Sequence, residues 1–316
     1  MSNINWSKLN ETGGAVTATL AVIDLTAKQG KKKPYISCTL SDGCGTISAN
    51  CFEISMENLT AQGIKPGEVV TAKITASKGF LNVESMELAP SEMKDSFAVK
   101  APIDPESTFE ELCEIIRRND NGTGLVPLTL GLLNCNKEAF IRSSAACKNH
   151  HNELGGLIWH THRIVRCADI ITDVYPKLDK CLLICGAALH DIGKIYSLAT
   201  NDLGGAEMTP DGLLLEHTVI GIIMISEYAE NNNITIKGDN LLKLEHMLAA
   251  HHGKLEYGAP SVPSIPEAMV LNNLDIIDSR IDMFEKLLDG IDQGSMSVYS
   301  KLLGTCAYRA IIDNNC

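Results

Sequence analysis

A histidine–aspartate pair closes the most apolar run of the chain. His190-Asp191-Ile192-Gly193-Lys194 follows Cys181–Leu189, whose residues read as a buried helix. An imidazole, a carboxylate and an ammonium at the end of such a helix need partners, because burying unpaired charge costs several kcal/mol. A divalent cation suits a neutral His and an ionised Asp together. Neighbouring helical residues point about 100° apart. His190 and Asp191 therefore grip one ion from two sides, or Asp191 bridges two.

A lone His-Asp dipeptide is weak, but here it has company. His160 stands thirty residues upstream and His217 twenty-seven downstream. The pair His251-His252 follows, and then Asp275. All nine histidines fall between positions 150 and 252, where a solvated surface would scatter them. Mixed His and Asp donors favour Mn²⁺, Mg²⁺, Fe²⁺ or Co²⁺ over a closed structural zinc site. No cysteine lies at ligand spacing, and no Cys-x-x-Cys pair occurs among the eleven cysteines. They read as reduced thiols packed as small hydrophobes.

A length of 316 residues suggests two domains. The N-terminus lacks a basic start followed by an apolar run, and the longest apolar stretch, 218–226, is too short to span a bilayer. A cytoplasmic protein with no membrane partner is expected. The net charge of −12 argues against a generic nucleic-acid-coating protein. The excess acid lies beyond residue 90; before it, eight Lys balance eight acidic residues.

Residues 14–90 alternate in short β-rich runs separated by turns, with a helical interruption near 55–62. Five such strands suggest a small Greek-key barrel of the oligonucleotide-binding (OB) type. Tyr35, Phe52 and Phe80 are candidate base-stacking platforms. Lys31, Lys32 and Lys33 form a basic hairpin with Lys28, and Lys78 lies in the last turn. A strand aromatic is more often core, and a lysine run more often a solvated loop; their co-location in one barrel is what raises the binding reading. Residues 91–108 read as a linker. Ser107 or Thr108 is expected to cap a helix over 109–118. Helices are then expected over 125–134, 137–143, 157–175, 180–198, 213–231, 239–250, 266–288 and 297–313, with a polar loop at 201–212.

The order His…His-Asp…His…His…Asp resembles the HD-domain metal-dependent phosphohydrolases, which are all-helical, over roughly residues 140–290. The string Ala145-Ala146-Cys147-Lys148-Asn149-His150-His151, leading into Gly155-Gly156-Leu157 and His160, is similar to the YhaM family of 3′–5′ exoribonucleases, which also carry an N-terminal OB domain. The chain departs from that family's expected pattern at Phe52, where a Trp is expected, and in the Lys31-Lys32-Lys33 run. The resemblance implies an OB domain over 1–90, a linker over 91–108 and an HD domain over 109–316. It also implies two ions: His160, His190, Asp191 and Asp275 on one, and His217 with His251 or His252 and Asp191 on the other. Mn²⁺ heads the candidate metals. Lys194, one turn past His190, is placed to offset charge on a pentavalent phosphate. Lys254 is a candidate substrate contact, and His150 and His151 are candidates for an extra ligand or a substrate contact.

The expected activity is 3′–5′ hydrolysis of single-stranded RNA, with DNA as a further substrate and a homo-oligomer as an open state. A competing reading is a phosphohydrolase of nucleotides or cyclic dinucleotides with a regulatory barrel. The Gly-Tyr-Pro signature that cyclic dinucleotides would favour is absent. A third, a binding module with a degenerate HD domain, is disfavoured by the intact donor set.

Overall fold

The computed structural model describes residues 4–30, 33–43, 46–77, 79–147, 151–289 and 291–311. The chain forms two compact units, one comprising residues up to Lys100 with Thr200–Gly205, the other Ala101–Ala199 with the rest from Ala206.

The first unit opens with α1 (Trp6–Thr12), capped by the Asn5 side chain on Lys8 N. Five strands follow: β1 (Gly14–Gln29), β2 (Pro34–Ser41), β3 (Thr46–Cys51), β4 (Val69–Ser77) and β5 (Phe80–Leu88). They pair in the order β1-β2-β3-β5-β4, and β1 also pairs with β4, so the sheet closes on itself. All pairs are antiparallel except β3 with β5. Strict alternation drives the closure. In β2, Ile36, Cys38 and Leu40 are buried while the residues between them face outward. These three join Leu20, Val22, Val70 and Ile74 in the barrel core. Helix α2 (Met56–Ala61) lies between β3 and β4, capped by Ser55 on Asn58 N. The interval 91–108 is not a bare linker. It contains a short 3₁₀ turn at Ser91–Met93, α3 (Lys94–Phe97) and the start of the next helix. Lys94 pairs with Glu68 at 2.8 Å and Phe97 packs with Ala21, Val69 and Leu203.

The second unit is mostly helical: α4 (Pro105–Arg118), α5 (Leu125–Cys135), α6 (Lys137–Arg142), α7 (Gly156–Val174), α8 (Lys180–Leu189), α9 (Lys194–Ser197), a two-stranded hairpin of β6 (Leu198–Thr200) and β7 (Ala206–Met208), α10 (Pro210–Asn231), α11 (Asn240–Ala250) and α12 (Pro266–Leu288). The hairpin replaces part of the loop expected at 201–212. The cap of α4 is Asp104, which accepts from Ser107 N at 2.7 Å, so the helix starts earlier than its apolar pattern suggests. Every residue of Cys181–Leu189 is buried, making α8 the central helix of this core.

Two expectations fail on glycines and on packing. The helix expected over 297–313 is absent among the described residues. The segment instead forms antiparallel bridges between Met296 and Tyr308 and between Ser300 and Thr305, turned by Gly304 at φ +69°. The helix expected over 180–198 ends at Leu189, and the His-Asp motif is a turn before α9. Helix α10 is long and apolar enough, by length and composition alone, to cross a membrane. It is broken at Glu216 (φ 61°, ψ 154°) and buries Ile220, Ile225 and Ala229 in the protein core.

Candidate active site

Backbone contacts decide where the donors arrive. A Cβ on Gly193 would lie 2.0 Å from the His217 carbonyl oxygen, so only glycine lets the turn after Asp191 meet α10. The break at Glu216 sets His217 at the same junction. A Cβ on Gly156 would lie 2.1 Å from the His151 carbonyl oxygen, which ties the His151 loop to the start of α7 and hence to His160. His251 caps α11, His252 follows it, and Asp275 sits on α12.

Asp191 is the meeting point. Its Oδ2 lies 3.4 Å from His160 Nε2 and 3.3 Å from His190 Nε2. Its Oδ1 lies 3.4 Å from His217 Nε2 and 3.8 Å from His251 Nε2. His160 Nε2 is also 3.3 Å from Asp275 Oδ1. Two nests result, His160/His190/Asp275 and His217/His251/His252, each with its donor atoms within 4.8 Å of one another. Asp191 presents one oxygen to each.

Hydrogen bonds on the far side of the rings fix which nitrogens face inward. His190 Nδ1 is 2.8 Å from the Ala187 carbonyl and His251 Nδ1 is 2.7 Å from that of Leu248. A carbonyl only accepts, so both rings donate from Nδ1 and turn a bare Nε2 lone pair into the site. His160 Nδ1 likewise donates to Asp278 Oδ2 at 2.7 Å. His190 Nε2 and His160 Nε2 then stand 3.3 Å apart, and those of His217 and His251 3.4 Å apart. Facing lone pairs repel unless positive charge lies between them. Among the described residues the buried Oδ1 of Asp191 has no hydrogen-bond partner, and the same holds for Nδ1 of His252. This donor set fits divalent cations.

The ionisation of the site agrees. Burial opposes charge on Asp191, but Lys194 and His190 outweigh it and hold the carboxyl well below its usual range. Burial pushes His217 down to about 3 and, with His252, holds His251 well below an ordinary imidazole. Both are neutral imidazoles at neutral pH. Burial also disfavours a proton on His160, yet Asp191, Asp275 and Asp278 lift it well above the ordinary value. The acids around His160 thus call for positive charge at that point.

Lys194 Nζ lies 2.7 Å from Asp191 Oδ2 and is mostly buried. A layer behind the donors was not anticipated. Asp278 accepts from His160, from His151 Nε2 at 2.8 Å and from Arg163 Nε at 2.7 Å. His151 also faces Glu153 and Asp282, whose charges Lys286 shares at 3.2 and 3.0 Å. The signal for Asp278 was its spacing, one helical turn past Asp275. The His151 ring is fully enclosed behind His160 and against Trp159, and its donor atoms group with those of His160 and Asp278 and with those of Glu153 and Asp282. His150, Lys31, Lys32 and Lys78 lie outside the described residues. Lys254 is exposed, pairs with Glu256 at 3.3 Å and lies over Tyr257. In the barrel, Tyr35 and Phe52 stack with centroids 5.2 Å apart, Lys33 lies 5.8 Å from the Phe52 ring, and Phe80 is 63% exposed.

The HD-domain family matches residues 157–280. The helical unit therefore carries an HD domain, a class of hydrolases that bind divalent metal ions, and its His/Asp clusters are of the matching kind. The chain is 31% identical over 297 residues to the 3′-5′ exoribonuclease YhaM of Shouchella clausii (strain KSM-K16), covering 91% of both chains. It is 30% identical over 295 residues to the 3′-5′ exoribonuclease YhaM of Geobacillus sp. (strain WCH70), covering 91% of this chain and 89% of that one. No solved structure matches. The chain belongs to the YhaM family.

Proposed function

We propose that this chain is a metal-dependent 3′–5′ exonuclease that hydrolyses phosphodiester bonds of single-stranded RNA to nucleoside monophosphates. The observation that carries the reading is Asp191, which turns one carboxylate oxygen toward each of two donor nests. His160, His190 and Asp275 would hold one divalent ion, and His217, His251 and His252 the other, with Asp191 between them. Mn²⁺ suits this mixed His/Asp set. Such a pair, when bound, supplies an activated water and a clamp on the phosphoryl oxygens.

The side chains do the remaining work. Asp278 orients His160 by accepting its Nδ1 proton, so that Nε2 faces the substrate side. The carbonyls of Ala187 and Leu248 do the same for His190 and His251. Lys194, held by Asp191, provides a fixed ammonium against charge that develops on the phosphate.

The barrel is the strand-binding module. Its β1-β2-β3-β5-β4 order, parallel β3–β5 pair and helix between β3 and β4 support an OB assignment for residues 1–90. Tyr35, Phe52 and Phe80 would stack bases, with Lys33 near the phosphates. Homology to exoribonucleases supports RNA as the substrate.

The test is a 5′-labelled RNA in Mn²⁺, with its 3′ end free or covered by a complementary strand. The expected result is a ladder shortening by single nucleotides when the end is free. A duplexed 3′ end stalls the enzyme, since unpairing costs on the order of 1.4 kcal/mol per step. Internal cuts in a circular strand, or activity on free nucleotides alone, would transfer the reading to a small-molecule phosphohydrolase.

A further inference from the structure

The loop that follows the histidine pair gives no donor to either nest, yet it is built firmly at their edge. Residues 253–259 enclose the 3₁₀ turn Leu255–Tyr257. The backbone is tied at several points. Gly253 N donates to the Ala250 carbonyl at 2.8 Å and Lys254 N to that of His252 at 3.0 Å. Tyr257 N and Ala259 N both donate to the Lys254 carbonyl, at 3.0 and 3.2 Å, and Gly258 N to that of Leu255 at 3.1 Å. Asn272 on α12 fastens the start of the loop, its side-chain amide donating to the His251 carbonyl at 2.6 Å.

On this fixed frame large side chains face water. Tyr257 is 62% exposed and Leu255 66%. The Lys254 ammonium lies 5.2 Å from the centroid of the Tyr257 ring. Lys254 also pairs with Glu256 at 3.3 Å, but both side chains are exposed, and an exposed pair contributes little. A Cβ on Gly258 would lie 4.0 Å from His252 Nδ1, which sets the loop directly against that imidazole. Consecutive Cα atoms are about 3.8 Å apart, so Tyr257 stands beside the His217/His251/His252 nest and its exposed ring forms part of the rim.

We infer that Tyr257 is a substrate-positioning residue: the base of the 3′-terminal nucleotide stacks on its ring while the phosphate of that nucleotide lies at the donor nests. A nucleotide carries a flat base and an anionic phosphate one sugar apart. An aromatic face with an ammonium beside it matches both, and Lys254 supplies the ammonium. Every base has a π-face, so the platform accepts all four bases. The helical unit thereby grips the nucleotide being removed, a task separate from holding the body of the strand on the barrel. The stack is the same in the bound strand and in the transition state, so it lowers KM and leaves kcat as it is. The inference rests on the 3′–5′ exonuclease reading.

The experiment gives the full chain, in Mn²⁺, two 5′-labelled RNAs of one sequence. They differ only in the 3′-terminal nucleotide, which carries its base in one and is abasic in the other, and release of that nucleotide is followed. The wild type is expected to show a KM about tenfold higher for the abasic end. Tyr257→Ala raises KM for the normal RNA about tenfold with kcat unchanged, and does not alter KM for the abasic one. Tyr257→Phe keeps the ring and matches the wild type on both. The exposed position leaves the melting temperature of Tyr257→Ala at the wild-type value. Equal handling of the two RNAs by the wild type overturns the inference without recourse to any variant. A wild-type KM in Tyr257→Ala overturns it as well, and so does an equal loss on both RNAs, the mark of a merely structural role. A wild-type chain that shortens neither RNA overturns the exonuclease reading and the platform with it; one that shortens both alike overturns the platform alone.

Discussion

The helical unit and the barrel treat polar groups in opposite ways. In the helical unit His160, His190, Asp191 and His251 are all but inaccessible, and the outer nitrogen of each of the three rings is engaged. In the barrel the candidate contacts are exposed or half-buried: Phe80 stands open, Phe52 is 40% exposed and Lys33 pairs only at the surface with Glu53. Hydrolysis needs atoms fixed to fractions of an ångström, and burial with a second hydrogen bond provides that. Holding a flexible strand needs stacking area and charge, which tolerate mobile side chains.

The contrast can be broken at its centre. Asp191→Ala is expected to abolish hydrolysis of 5′-labelled RNA while the far-ultraviolet circular dichroism stays that of a folded chain. Turnover near the wild-type rate by a folded variant would remove the shared-carboxylate reading. Lys194→Ala should lower the rate by about 10²-fold with metal content unchanged, as for a lost charge donor. Metal analysis of the purified variant decides between a charge role and a ligand-holding role.

The supporting layer gives a smaller effect of a different kind. Asp278→Asn should weaken Mn²⁺ affinity by about 10- to 100-fold in titration calorimetry, because His160 loses its carboxylate partner. Unchanged affinity would mean that the layer behind the donors is only packing. The barrel should respond least: Phe52→Ala is expected to raise KM for a long RNA about tenfold, the worth of one stacked base. An equal loss on a small chromogenic phosphodiester would argue for misfolding instead.

A pH measurement sharpens the same comparison. His217 in the fold titrates at about 3, well below the ordinary imidazole range near 6.5. Between those values the unfolded chain binds a proton that the folded chain refuses, so this group's contribution is present above about pH 6.5 and lost as pH falls toward 3. Metal-free His217→Gln protein should therefore show a shallower fall of melting temperature across that window than the wild type. Parallel curves would show that His217 is not buried as a neutral ring.

Much of this was legible in the residues alone. The period-2 runs of the barrel and the apolar run of α8 are burial patterns, and burial is written locally in residue type. The donors His160, His190, Asp191, His217, His251, His252 and Asp275 were legible too, because imidazoles and carboxylates set among apolar neighbours have few other uses. Their partition into two nests was expected as well, but what produces it was decided by the tertiary structure. It depends on Gly193 meeting α10 and on the break at Glu216, both of which are contacts between distant segments. The same holds for Asp278 behind His160 and for the enclosure of His151 against it. Residue type determines which groups must find partners; only the packing of distant elements decides which partners they find.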